Sequence, residues 1–194
     1  MSSREKILEA VLQNQPEKKL LPEISILKRD DRDAVPGYMQ VMKAIGGSVY
    51  LVADLTAVKI LINEHFDIAK RVVTSLPELT GDYELLSPTV APHTYDDIEL
   101  AVLRGHFGVA ENAAVWLTDE LMVQRIIPYI CQHLAIVITA QSIVPTLHEA
   151  YEKIGQAEYG FGAFIGGPSK TADIEQALVL GAHGPLSMTV FILQ

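Results

Sequence analysis

The sequence predicts an α/β fold, a Rossmann-like and mostly parallel sheet with helices on both faces. Three observations predict it. Strand-like and helix-like segments alternate along most of the chain, the order that builds parallel sheets through crossover helices. The run HLAIVIT at 133–139 is continuously apolar, as a strand covered on both faces must be. Several intervening segments carry apolar residues at helical spacing, the stripe that packs on a sheet.

Near the N-terminus, Ile7, Leu8, Val11 and Leu12 follow helical spacing, and Pro16 stops that helix. Residues 17–36 are charged and irregular around KRDDRD, the texture of a solvated connector. Residues 1–36 therefore read as a helical arm with its connector, and 37–194 as the α/β domain. YMQVMKAIGG is a helix ending at Gly46-Gly47, and SVYLVAD is a Val- and Tyr-rich strand. Leu55, Val58, Ile62 and Phe66 form the stripe of the next helix, which leads to the strand AKRVVTS. The texture then changes. Short apolar runs with Gly and Pro punctuation over 82–120 read as loops and short, partly antiparallel strands around FGVAE and AAVWL. After HLAIVIT, Ile143, Leu147, Ala150 and Ile154 share one helical face. FGAFIGG reads as a further strand, Thr171 to Leu180 as a helix, and SMTVFIL as the last strand.

Composition removes several classes of function. Of the 194 residues, 49% are hydrophobic and 20% charged, which excludes a wholly disordered chain. Fifteen Lys and Arg against 24 Asp and Glu give a formal charge of -9, which opposes general binding to nucleic acids and to anionic membranes. The single cysteine, Cys131, forms no internal disulfide and cannot supply the four thiolates of an iron–sulfur cluster. It reads as a small buried hydrophobe. With no signal-peptide pattern and no membrane span, a cytoplasmic protein is expected.

The most informative stretch is FIGGPSKTADIEQALVLGAHGP. Gly166 and Gly167 permit tight geometry and close backbone approach. Ser169 or Thr171 is placed to cap a following helix, and Asp173 and Glu175 fall in its first turn, where the helix dipole favours anions. Such a turn, at the carboxyl end of a parallel strand, offers free amides, Ser169, Lys170 and Thr171 to a phosphate or carboxylate. The alternative is a capped helix that binds nothing. GGPSKT lacks the spacing of a phosphate-binding Walker loop.

These residues also resemble a family. GPSKTADIEQALVLGAHGP is similar to the C-terminal signature of the LUD domain, the lactate-utilization protein C family, and VPTLHEAYEKI resembles the helix before it. The resemblance is firm over about 135–193 and implies the architecture of the CoA-transferase and ribose-phosphate-isomerase superfamily. Upstream, Phe107 to Ala114 corresponds to a family stretch in which Glu111 is kept, while Asn112-Ala113 replaces a Thr-Gly pair. Glu111-Asn112 also resembles the Glu-Asn-Gly of CoA transferases, whose glutamate is the nucleophile, with Ala113 where the glycine stands.

Glu111 and His183 are thus the catalytic candidates, and Gly166, Gly167, Ser169, Lys170, Thr171, Asp173 and Glu175 the ligand-binding ones. Glu111 is a base, a nucleophile or a ligand anchor, or else a strand-end carboxylate bonded to a backbone N–H or to Arg104. His183 is an acid–base group or stabilises its turn. His106 is a weaker candidate, with Glu111 as the group it would address; Trp116 reads as core, and Asp96-Asp97 as helix-capping carboxylates. No histidine spacing points to a metal.

The resemblance implies an accessory subunit of a lactate-oxidising system that binds a small anion. It carries no cofactor of its own, and iron–sulfur clusters sit in Cys-rich partner subunits. One alternative is a free-standing enzyme acting on a CoA thioester, phosphosugar or folate-like anion through Glu111. The other is an α/β scaffold used for protein contact. Self-association into a homo-oligomer is left open.

Overall fold

In the computed structural model, residues 2–17, 19–20, 22–23, 25–27, 34–171 and 179–194 are described. Helix α1 (Ser3–Gln13) is made by local rules alone. Ser2 accepts from the Glu5 amide while Glu5 bonds back to the Ser2 amide, a reciprocal cap, and no residue of the helix is buried. Helix α2 (Ala34–Ala44) begins two residues before Pro36, earlier than the connector reading placed it. Proline is tolerated in a first turn, where its missing N–H has no helical acceptor to lose. Ala34, Tyr38 and Met42, spaced by four, form its buried face.

Strand β1 (Ser48–Val52) leads into α3 (Leu55–His65), capped by Asp54 accepting from the Ala57 amide and burying Val58 and Ile62. Then follow β2 (Val72–Thr74), β3 (Glu84–Leu85) and β4 (Leu100–Arg104). Three short strands build a second sheet, as the Gly- and Pro-punctuated texture suggests: β5 (Phe107–Val109), β6 (Ala114–Thr118) and, later, β8 (Gly162–Ile165). Between them lie the one-turn helices α4 (Asp119–Met122) and α5 (Ile127–Ile130), strand β7 (His133–Thr139) and helix α6 (Leu147–Ile154). A ribbon of β9 (Lys170–Thr171) and β10 (Val179–Leu180) precedes the last strand, β11 (Ser187–Leu193).

The main sheet has the order β1-β11-β7-β4-β2-β3, and all its pairs are parallel. Side chains alternate across it. Leu103, Ile136, Ile138 and Val190 face α2, whereas Val102, Ala135, Val137 and Phe191 face α3. The sheet therefore carries helices on both faces, as the sequence predicts.

The small sheet, β5-β6-β8, is antiparallel and forms an extra layer on the α2 side. Val115 and Leu117 join the core beneath it, while Phe107, Val109 and Trp116 face outward onto Ala150 of α6. Two glycines allow the layers to meet. A Cβ on Gly105 would lie 2.4 Å from Val115 Cγ1 and 2.9 Å from Ile138 Cγ2, and one on Gly108 would lie 2.9 Å from the Tyr38 ring.

Two expectations are corrected. FGAFI is not a strand of the parallel sheet: β8 pairs antiparallel with β6, Phe164 opposite Trp116 and Gly162 opposite Thr118. Its four residues are all half-buried, unlike the fully buried interior of β7. A Cβ at Gly162 would strike the Trp116 ring at 2.4 Å, so glycine is needed for this pairing. The helix expected over 171–180 is replaced at both ends by strand, with Val179 opposite Thr171 and Leu180 opposite Lys170. Ser169 extends the ribbon, donating its amide to the Pro185 carbonyl and accepting from the Gly181 amide. Gly167 and Gly181, at φ 77° and 74°, supply the left-handed bends that this path requires. Residues 172–178, with most of the predicted stripe, lie outside the described residues.

Two substitutions test the layer contact. Gly105→Ala should lower the unfolding free energy by about 1–3 kcal/mol through overpacking, read as a lower urea midpoint; an unchanged midpoint would mean the sheets do not touch there. The Tyr38 hydroxyl is buried and has no hydrogen-bond partner among the described residues. An unsatisfied buried group costs about 1–3 kcal/mol, so Tyr38→Phe should leave stability equal or higher, and a large loss would reveal a partner.

Candidate functional site

In open parallel sheets the strands' carboxyl ends present a crevice, and here β4, β7 and β11 end together. A cavity of about 250 Å³ lies there, bounded by Arg104, His106, Leu121, Thr139 and Leu193. Arg104 closes β4. Its amide donates to Ser75 Oγ at 3.1 Å, and its guanidinium reaches Glu78 Oε1 at 2.7 Å. That pair is part-exposed and engages one of five N–H donors, so the guanidinium keeps donors for another acceptor.

His106 stands two residues beyond Arg104, where the chain passes from the parallel sheet into the small one. Its amide donates to the Trp116 carbonyl at 2.9 Å, and its Nε2 lies 2.8 Å from Thr118 Oγ1. Partial burial holds its imidazole below the ordinary value; the Glu120 carboxylate opposes this but does not cancel it. The ring is therefore neutral near pH 7.

Across His106 lies a second cavity, of about 370 Å³, walled by Phe107, Trp116 and Tyr159. Trp116 meets Tyr159 edge-on at 5.3 Å and Phe164 at 4.7 Å. Lys153, from α6, lies 5.0 Å from the centre of the Phe107 ring and donates to the Ser142 carbonyl at 3.2 Å. Burial lowers the pKa of this amine.

The residues singled out in the sequence fall mostly elsewhere. Glu111 is exposed, and its Oε2 accepts from the Leu147 amide at 2.8 Å, at the first residue of α6. Of the partners considered for it, the backbone N–H is the one found; Arg104 is taken by Glu78, and His106 turns to Thr118. After it, Asn112 Oδ1 accepts from the Ala114 amide, and Ala113 takes φ 56°, the left-handed geometry a glycine adopts most easily.

Gly166 packs on this turn, since a Cβ there would sit 3.5 Å from the Asn112 carbonyl oxygen and 3.4 Å from Ala114 Cα. Gly167 packs on Ile45, and the Lys170 ammonium donates to the Ile45 carbonyl just beyond α2. Lys170 thus serves a helix carboxyl end, where cations are favoured, and no helix begins at Ser169–Thr171 to offer free amides. His183 is exposed on the 181–184 bend, whose flanks pair with Ser169. The structure thereby gathers Gly166 to Lys170, the Asn112–Ala114 turn and the end of α2 into one packing seam. Asp173 and Glu175 lie outside the described residues.

Other side chains have structural partners. Arg71 binds Glu84 and Asp97 and holds both carboxyls below their usual range. Cys131 is buried, its thiol pushed up to about 12. Among the described residues, no group of three or more His, Cys, Asp or Glu is placed to hold a metal, and no helix is long and apolar enough to cross a membrane. Sequence reasoning missed Lys153, Thr118 and Tyr159. The period-2 alternation that puts Phe107, Trp116 and Phe164 on one face was the available signal for the aromatic wall.

Comparison with known proteins agrees with this architecture. A family model described as the LUD domain matches residues 93–193. A lactate utilization protein C of Bacillus mycoides is 29% identical over 101 residues, covering 49% of this chain and 43% of that protein. One from Oceanobacillus iheyensis is 29% identical over 91 residues, covering 44% and 39%. The matches thus span less than half the length of these curated relatives. Among solved structures, a DUF162 family protein from Deinococcus radiodurans superimposes with a TM-score of 0.63 over 86% of this chain and 99% of that one, at 16% identity, a likeness of fold.

His106 gives a direct test of the local electrostatics. Its NMR titration should have a midpoint below the free-imidazole value of about 6.5, and Glu120→Gln should lower it further, because that carboxylate raises it. The sign for stability follows. The unfolded imidazole takes up its proton first, so stability falls as pH drops below about 6.5, and His106→Gln should flatten that slope. A midpoint above the free value would mean the ring is not desolvated.

Proposed function

Because the chain belongs to the LUD domain family, we propose that it serves lactate utilization as a subunit that binds a small carboxylate at the carboxyl edge of its parallel sheet. The single observation carrying this reading is the meeting of Arg104, His106 and Thr139 around the 250 Å³ crevice where β4 and β7 end. A 2-hydroxy or 2-oxo acid matches those groups. Its carboxylate is suited to the unused guanidinium donors of Arg104. Its 2-oxygen is suited to a neutral imidazole or the Thr139 hydroxyl, each able to donate or accept.

The names of the related proteins point the same way, toward lactate utilization. Oxidising lactate to pyruvate releases two electrons and two protons. One cysteine cannot build the four-thiolate clusters that commonly carry electrons, so we assign that task to Cys-rich iron–sulfur partner subunits in a reducing cytoplasm. The chain's part is to hold and orient the acid. Glu111, which accepts from the first amide of α6 at the surface, does not line this crevice and takes no part in this reading.

Thermal unfolding with L-lactate and with pyruvate tests the site. A ligand at 100 times its Kd stabilises by about 2.7 kcal/mol, so the midpoint should rise with at least one acid. Arg104→Gln should weaken binding by about tenfold or more, with the circular dichroism spectrum unchanged. A flat midpoint with both acids, or full affinity in the variant, removes the crevice as the site. The partner assignment is tested separately: affinity purification from the native host should bring down a brown, cysteine-rich protein, and a colourless, single-component preparation would end it.

A further inference from the structure

The cavity on the far side of His106 has the opposite electrostatic character from a carboxylate site. Its walls are the rings of Phe107, Trp116 and Tyr159, whose faces attract cations. One cation already uses one of them: the Lys153 ammonium sits 5.0 Å from the Phe107 ring centre. That ammonium is also bonded to the Ser142 carbonyl, so it is tied to its own wall. Two carboxylates, Glu120 and Glu158, line the same cavity at exposed positions, and among the described residues neither takes part in a hydrogen bond or ion pair. With His106 neutral, the lining carries two negative charges against the one positive charge of Lys153, so one further positive charge balances it. The volume of about 370 Å³ falls within the range of small-molecule pockets, roughly 300–1,000 Å³.

We propose that this cavity binds a small organic monocation, an alkyl- or arylalkylammonium, with its charge toward Glu120 and Glu158 and its apolar body against Trp116 and Tyr159. The site is distinct from the strand-end crevice, and His106 is the wall between them. The carboxylate reading and this one therefore stand or fall separately.

Trp116 is the sole tryptophan of the chain and walls this cavity, so fluorescence excited selectively at the indole reports on it. The full-length protein is titrated at neutral pH with 2-phenylethylammonium, with 3-phenylpropionate as the anionic counterpart and 2-phenylethanol as the neutral one. The cation should produce a saturable change, and the other two should bind about tenfold more weakly or less. Glu120→Gln and Glu158→Gln are surface changes that leave the fold intact, and the double variant should lose the preference for the cation. No saturable change with the cation overturns the proposal. So does anion or alcohol binding of equal strength, or an undiminished preference in the double variant. L-Lactate is followed separately by thermal unfolding of the native protein and of Arg104→Gln, whose side chain lines only the other cavity, so failure at one is not mistaken for failure at the other.

Discussion

The arrangement rests on the close approach of two sheets at Gly105 and Gly108. Strand β4 ends deep in the parallel sheet, and within two residues the chain is in another layer, paired antiparallel. Only a residue without Cβ lets Val115 and Ile138 close over Gly105, and only one lets the Tyr38 ring lie on Gly108. Every later feature of the site follows from that junction. It puts Arg104 at the parallel sheet's edge and His106 in the small sheet, and it turns Phe107 and Trp116 outward to meet α6. Interiors are close-packed, so the gap has no slack for a methyl group on either glycine.

Charge is used at the ends of elements more than at the site. Asp54 caps α3, Glu111 accepts from the first amide of α6, and the Lys170 ammonium meets a carbonyl beyond the end of α2. Each sign matches the helix end it faces. Arg71 gathers Glu84, Asp97 and the Thr94 carbonyl at the β2–β3 edge. These charges thus serve the scaffold. The cavities are left with one paired arginine, one neutral imidazole, one bound ammonium and two carboxylates without a hydrogen bond or ion pair among the described residues.

That division of charge accounts for what was legible in the sequence. HLAIVIT and SMTVFIL became β7 and β11 residue for residue, because burial on both faces leaves a mark in every position. The stripe of Val58 and Ile62 is a local pattern, and it formed as local patterns do. GAFI failed to reveal its sheet because pairing is a long-range choice, decided here by the fit of Gly162 beneath Trp116. The 171–180 segment has helical spacing, yet its ends obey the bends at Gly167 and Gly181 and the bonds of Ser169. Glu111 drew notice as the glutamate kept in the family stretch, but its partner lies 36 residues away on another element. Lys153 carried no signal at all, since nothing local distinguishes it from any solvated helix lysine.

His106 lines both cavities, and its position and charge environment would couple ligands held in them. Its protonation is opposed by burial and favoured by Glu120. A cation held at Glu120 screens that carboxylate and drives the imidazole further toward its neutral form. A carboxylate ligand beside Arg104 does the reverse, because imidazolium is attracted to it. Linkage is reciprocal, so a proton on His106 strengthens the carboxylate and weakens the cation by the factors with which each moves the proton. If both proposed ligands bind, they would be antagonists through one ring even without touching, and the antagonism would grow as pH falls toward the imidazole's own titration. A residue at the junction of two layers is well placed for this, because its backbone is fixed by the Trp116 carbonyl and it lines both cavities.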